Sequence, residues 1–105
     1  GDGSASREFL YAGDCAKAIH LALEKYNSPE PINIGTGKEI SIKDLVHLMS
    51  EVVGFEGEII FDSSKPNGQP RRCLDTSKAE KEFDFKAETS LKEGLEKTYN
   101  WYINE

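Results

Sequence analysis

The segment Ser64-Lys65-Pro66-Asn67-Gly68-Gln69-Pro70-Arg71-Arg72-Cys73 concentrates cationic donors in an otherwise acidic chain. It holds three of the 13 Lys and Arg and none of the 19 Asp and Glu. A basic patch set in a field of opposite sign draws anions to itself. Its prolines and glycine restrict the backbone, while the adjacent Arg71 and Arg72 offer planar forks that match phosphate oxygens in pairs. The chemistry that fits is recognition of a phosphate-like anion; the simpler reading is a solvated surface turn.

Other chemistries are missing. Gly35-Thr36-Gly37 opens like a dinucleotide fingerprint, but Ile40 stands where the third glycine is needed, and Gly37-Lys38 is followed by Glu39 where a Walker loop needs Ser or Thr. His20 and His47 lie on separate predicted helices, and Cys15 and Cys73 have no zinc spacing, so no metal site is expected. None of the four tyrosines is followed four positions later by lysine, which removes one common proton-transfer pair. The carboxylates are scattered, so no catalytic residue is assigned. A net charge of −6 argues against general nucleic-acid binding. No apolar run reaches bilayer length, so no membrane association is expected. The cysteines read as reduced, structural thiols of a cytoplasmic protein.

The elements that must position the basic loop follow from periodicity and capping. At 105 residues the chain is one domain. Arg7–Tyr11 has strand composition, Gly13-Asp14 a turn with a capping carboxylate, and Cys15–Tyr26 a helix apolar around much of its circumference, suited to packing on two sides. Pro29 and Pro31 stop it, and Ile32-Asn33-Ile34 reads as a second strand. Ser41–Asp44 resembles a capping box for a helix whose stripe is Ile42, Leu45, Val46, Met49, Val52 and Val53, ending at Gly54. Glu58–Asp62 is a third strand candidate, from whose end the loop hangs. Asp75 or Thr76 caps a short helix through Phe83, and Ser90–Glu93 is a capping box for a last helix expected to dock by burying Tyr99 and Trp101. The fold class is α/β: short strands with about four helices, too few strands for a doubly wound sheet.

Several stretches together resemble the extended short-chain dehydrogenases/reductases, the NAD-dependent epimerase/dehydratase family. They are Gly1-Asp2-Gly3-Ser4-Ala5-Ser6-Arg7-Glu8-Phe9-Leu10-Tyr11, Asn33-Ile34-Gly35-Thr36-Gly37 and Ser41-Ile42-Lys43-Asp44-Leu45. The loop through Asp75, and the ending Thr89-Ser90-Leu91-Lys92-Glu93-Gly94-Leu95, are most similar to the GDP-L-fucose synthase branch. The resemblance implies that residues 1–105 are the small C-terminal nucleotide-sugar-binding lobe of a longer enzyme. The Rossmann lobe, which would bind NAD or NADP and carry the Ser, Tyr and Lys catalytic group, would then precede Gly1. It implies an NAD(P)-dependent nucleotide-sugar epimerase/reductase, homodimeric as the parent, with this chain inactive alone. A UDP-glucose 4-epimerase is the alternative, and a stand-alone interaction module using the apolar first helix is the non-enzyme one.

By the same resemblance Arg7 matches the family arginine on the nucleotide diphosphate, and Arg72 matches a basic position, commonly lysine, near that group. Arg71, Lys65 and Gln69 would be further loop contacts, while Asn33, as a short amide that bonds local backbone, is read as securing a strand end. Two departures stand out: Gly13 sits where an acid is common, and Ala12 replaces a commoner valine.

Overall fold

A computed structural model describes residues 1–105. Apolar spacing and caps produce four helices, α1 (Ala12–Lys25), α2 (Ile42–Val53), α3 (Ser77–Phe83) and α4 (Leu91–Ile103), and two short strands, β1 (Ser6–Arg7) and β2 (Ile40–Ser41). The strands pair antiparallel with Ser6 opposite Ser41 and Arg7 opposite Ile40. An isolated parallel bridge joins Ser6 to Arg71, so the basic loop returns to β1 at its far end.

Capping is legible residue by residue. Ser41 Oγ accepts from Asp44 N at 3.1 Å and Ser90 Oγ from Glu93 N at 3.2 Å, which satisfies one orphan donor at the start of α2 and of α4. Asp75, not Thr76, serves the start of α3: its Oδ1 accepts from Ser77 N at 2.9 Å. Gly54 closes α2 in the left-handed region, φ 73°. Gly54→Ala is expected to destabilise the chain by about 1 kcal/mol through that φ alone, because nothing lies within 4 Å of the added methyl. A lowered thermal midpoint checks it, and an unchanged midpoint contradicts it.

The core is small. Ala18 of α1, Ala79 and Phe83 of α3, and Phe85 form its fully buried part, with Leu10, Tyr26, Ile32 and Ile34 packed around them. Tyr26 meets Phe83 edge to face, ring centroids 5.9 Å apart. Asp14 is also buried, and it ties α1 to the approach of α4 by accepting from Thr89 N at 3.1 Å and Thr89 Oγ1 at 3.2 Å. The molecule is an open slab of 49 × 34 × 18 Å whose radius of gyration is 16.3 Å, where a compact domain of about 100 residues has roughly 13 Å.

Several expectations change on this frame. The first helix begins at Ala12, so Gly13 and Asp14 lie inside its first turn and Asp14 is a buried tether instead of a cap. Only one side of α1 is packed: Ala18 is buried, whereas Ile19 is 64% and Leu23 83% exposed. Strand Arg7–Tyr11 shrinks to Ser6–Arg7, and neither Ile32–Ile34 nor Glu58–Asp62 forms a strand. The physical reason is pairing. Ile32–Ile34 makes no backbone hydrogen bond within the chain, and near Glu58–Asp62 only Asp62 O accepts, from Gly1 N at 2.7 Å and Lys65 N at 3.2 Å; β propensity makes no ladder without a partner. The last helix meets α2 and half-buries Tyr99, but Trp101 and Tyr102 are 64% and 71% exposed, so the rest of its aromatic end is not buried.

Candidate anion-binding site

The Gly68 to Arg72 end of the basic loop is laced to β1. Ser6 N donates to Pro70 O at 2.9 Å, Arg72 N donates to Ser6 O at 3.2 Å, and Arg7 Nη1 donates to Ser6 O at 2.6 Å and to Gln69 O at 2.9 Å. Gly68, at φ 76°, lets the loop turn beside the Arg7 guanidinium: a Cβ there would lie 3.8 Å from Arg7 Nη2. Residues more than 60 positions apart in the chain thus share one short backbone seam.

Side-chain alternation then sorts the charges. Ser6 Oγ and Arg71 Nε both reach Glu39, at 2.6 Å each, so Ser6 and Arg71 lie on one face of the seam. Arg7 and Arg72 are the next residue along each segment, so alternation directs both side chains away from the Glu39 face, the Arg7 guanidinium lying over Gln69 O. Arg7 is half-buried and Arg72 exposed, and neither forms an ion pair. Among the remaining candidates, Gln69 contributes its carbonyl to Arg7, Arg71 is committed to Glu39, and Lys65 is exposed at the far end of the loop without an ion pair.

The Ser6 hydroxyl and then the Arg71 guanidinium hold the Glu39 carboxyl below its ordinary value of 4.5. A depressed folded-state value means the contribution is present above the unfolded value and is lost as pH falls through the folded one. NMR signals of Ser6 and Arg71 are therefore expected to shift only below pH 4.5, and Glu39→Gln should abolish the transition. A transition with its midpoint at or above 4.5 would contradict the lowering by Ser6 and Arg71. Burial, followed by the charges of Glu8 and Glu39, pushes the Cys73 thiol up, away from thiolate reactivity at neutral pH.

Sequence reasoning missed two acids. Glu39 orients Arg71, and Glu8 gathers three backbone donors: Thr36 N at 3.1 Å, Gly37 N at 2.9 Å and Leu74 N at 2.6 Å. The one available signal was position, since Glu8 is a carboxylate between Arg7 and the apolar Phe9-Leu10-Tyr11. Its bonds also decide the Gly35-Thr36-Gly37 turn. Donors a pyrophosphate would use are already taken, so the chain's own residues do not fit a nicotinamide dinucleotide.

Comparison with known proteins adds the following. Residues 1–98 match the model of the family described as GDP-mannose 4,6 dehydratase. The chain is 47% identical over 103 residues to Probable GDP-L-fucose synthase 1 of Oryza sativa subsp. japonica, covering 98% of this chain and 31% of that protein. It superimposes on the UDP-glucose 4-epimerase of Thermotoga maritima solved with UDP-glucose with a TM-score of 0.89 and 31% identity, over 99% of this chain and 33% of that one. It also superimposes on a GDP-mannoheptose C4 reductase of Campylobacter jejuni with NADP bound, with a TM-score of 0.86 and 31% identity, over 98% of this chain and 33% of that one. The chain thus spans about a third of the length of these relatives.

Proposed function

The chain belongs to the GDP-mannose 4,6 dehydratase family of extended short-chain dehydrogenases/reductases, and from that membership we propose that residues 1–105 are the C-terminal nucleotide-sugar-binding lobe of a longer NAD(P)-dependent epimerase/reductase of the GDP-L-fucose synthase type. Its Arg7 and Arg72 grip the nucleotide diphosphate. The observation that supports this reading is the seam between β1 and the basic loop, which joins the backbone segments that carry these two arginines, neither of which forms an ion pair.

An anion held by paired forks is fixed in direction as well as in place. Holding the diphosphate therefore orients the sugar that hangs from it, and remote binding energy becomes alignment at the reacting carbon. When bound, a nicotinamide cofactor supplies or accepts hydride; the residues that hold it belong to a Rossmann domain outside 1–105. That domain is the partner that covers the open slab and the exposed Ile19 and Leu23 of α1. The reaction would be epimerisation of a GDP-4-keto-6-deoxy sugar followed by reduction, in a cytoplasmic homodimer. Sedimentation of the parent tests the dimer.

The test is a titration of the full-length parent with GDP, UDP and dTDP at low and high salt, repeated with Arg72→Ala. Salt-sensitive binding that weakens in the variant supports the reading. Equal, salt-insensitive affinity in both proteins removes the loop from the site. A preference for UDP would favour the 4-epimerase alternative, which the similarity to the Thermotoga maritima enzyme supports. The exposed face of α1 also suits a stand-alone module. Coding sequence upstream with a glycine-rich strand-turn-helix and a Tyr-x-x-x-Lys decides against that reading.

A further inference from the structure

The Glu8 carboxylate is the most connected side chain near the seam. It accepts from Thr36 N and Gly37 N of the glycine turn and from Leu74 N, two residues beyond Arg72. Thr36 Oγ1 adds a longer contact at 3.5 Å. These donors come from segments 28 and 66 positions away from it. Gly35 is buried against the same carboxylate: a Cβ there would fall 2.8 Å from Glu8 Oε2.

We propose that Glu8 is a positioning residue for the anion site, acting through Arg72. The inference rests on the reading of Arg7 and Arg72 as diphosphate ligands. Leu74 N is the hydrogen bond that pins the loop just past Arg72, while Arg72 N on Ser6 O pins it just before. With both ends held, the Arg72 side chain can leave the seam only on the Arg7 face. Without the carboxylate, Leu74 N loses its partner and the segment after Arg72 is free to swing. Three convergent backbone donors would also be left bare, a cluster that charge-assisted bonds normally satisfy.

Glu8→Gln tests this, since it keeps the shape and removes the charge and one acceptor. In the full-length parent it is expected to lower GDP affinity by about tenfold while leaving NADPH affinity unchanged. A double-mutant cycle supplies the readout that a merely structural role would not move. In an Arg72→Ala background the same substitution should lower GDP affinity no further. Equal GDP affinity in wild type and Glu8→Gln overturns the inference, as does a loss that is fully additive with Arg72→Ala or shared by NADPH. If Glu8→Gln does not fold, Glu8→Asp takes its place in the same cycle with the same outcomes. Failure of the underlying reading is distinct: Arg72→Ala itself would then leave GDP affinity intact.

Discussion

Arg7→Ala is expected to lower the affinity of the full-length parent for GDP by about ten- to a hundredfold, the loss typical of a charge-assisted contact. NADPH affinity should stay within about twofold, as for independent sites. Two roles converge on this residue. Its Nη1 bonds Ser6 O at 2.6 Å and Gln69 O at 2.9 Å, which leaves the rest of the guanidinium fork for a ligand and locks the loop that carries Arg72. Truncation removes both the ligand contact and the lock, so its effect should exceed that of Arg72→Ala, which removes only a side chain without an ion pair. Arg7→Lys separates the roles. A lysine keeps the charge but not the fork, so intermediate affinity with reduced discrimination against a monophosphate is expected. Isothermal titration with GDP and GMP measures both. Wild-type affinity in Arg7→Ala would mean that Arg7 serves the site neither as a contact nor as the lock.

Phe83→Ala is expected to destabilise residues 1–105 by about 3 to 5 kcal/mol, the range for deleting a buried aromatic ring. That is a large share of a total that is about 5 to 15 kcal/mol in typical domains. Phe83 is 2% exposed and is the largest fully buried side chain. It holds α3 against Tyr26 and the Ala18 face of α1, in a core that no second layer backs. A urea transition shifted to lower concentration with an unchanged slope would match this expectation. A shift under about 1 kcal/mol would mean that neighbouring side chains refill the space.

Legibility followed the range of the interaction. Helix caps at Ser41, Gly54 and Ser90 were readable because cap and helix lie within about one turn of each other. The stripe of α2 was readable for the same reason, and its residues are half-buried while Lys43, His47 and Glu51 are exposed. Strands were overread. Ile32–Ile34 and Glu58–Asp62 have strand composition, but neither forms a ladder within residues 1–105. The exposure of Trp101 and of the outer face of α1 was misjudged similarly, because an apolar pattern declares that a face wants cover and not which chain supplies it.

Composition and local spacing by themselves determined that three cations cluster in one short loop without an acid, and where three of the four helices start or stop. Only the tertiary structure decided which cation takes which partner: Arg71 the Glu39 carboxylate, Arg7 the Ser6 and Gln69 carbonyls, with Glu8 accepting from Leu74 N beyond Arg72. The division has a physical cause. Caps and amphipathic stripes are set by neighbours a few residues apart, whereas the face on which an extended residue emerges is fixed by hydrogen bonds to a strand some 60 positions away, and shifting that register by one residue would exchange the two faces.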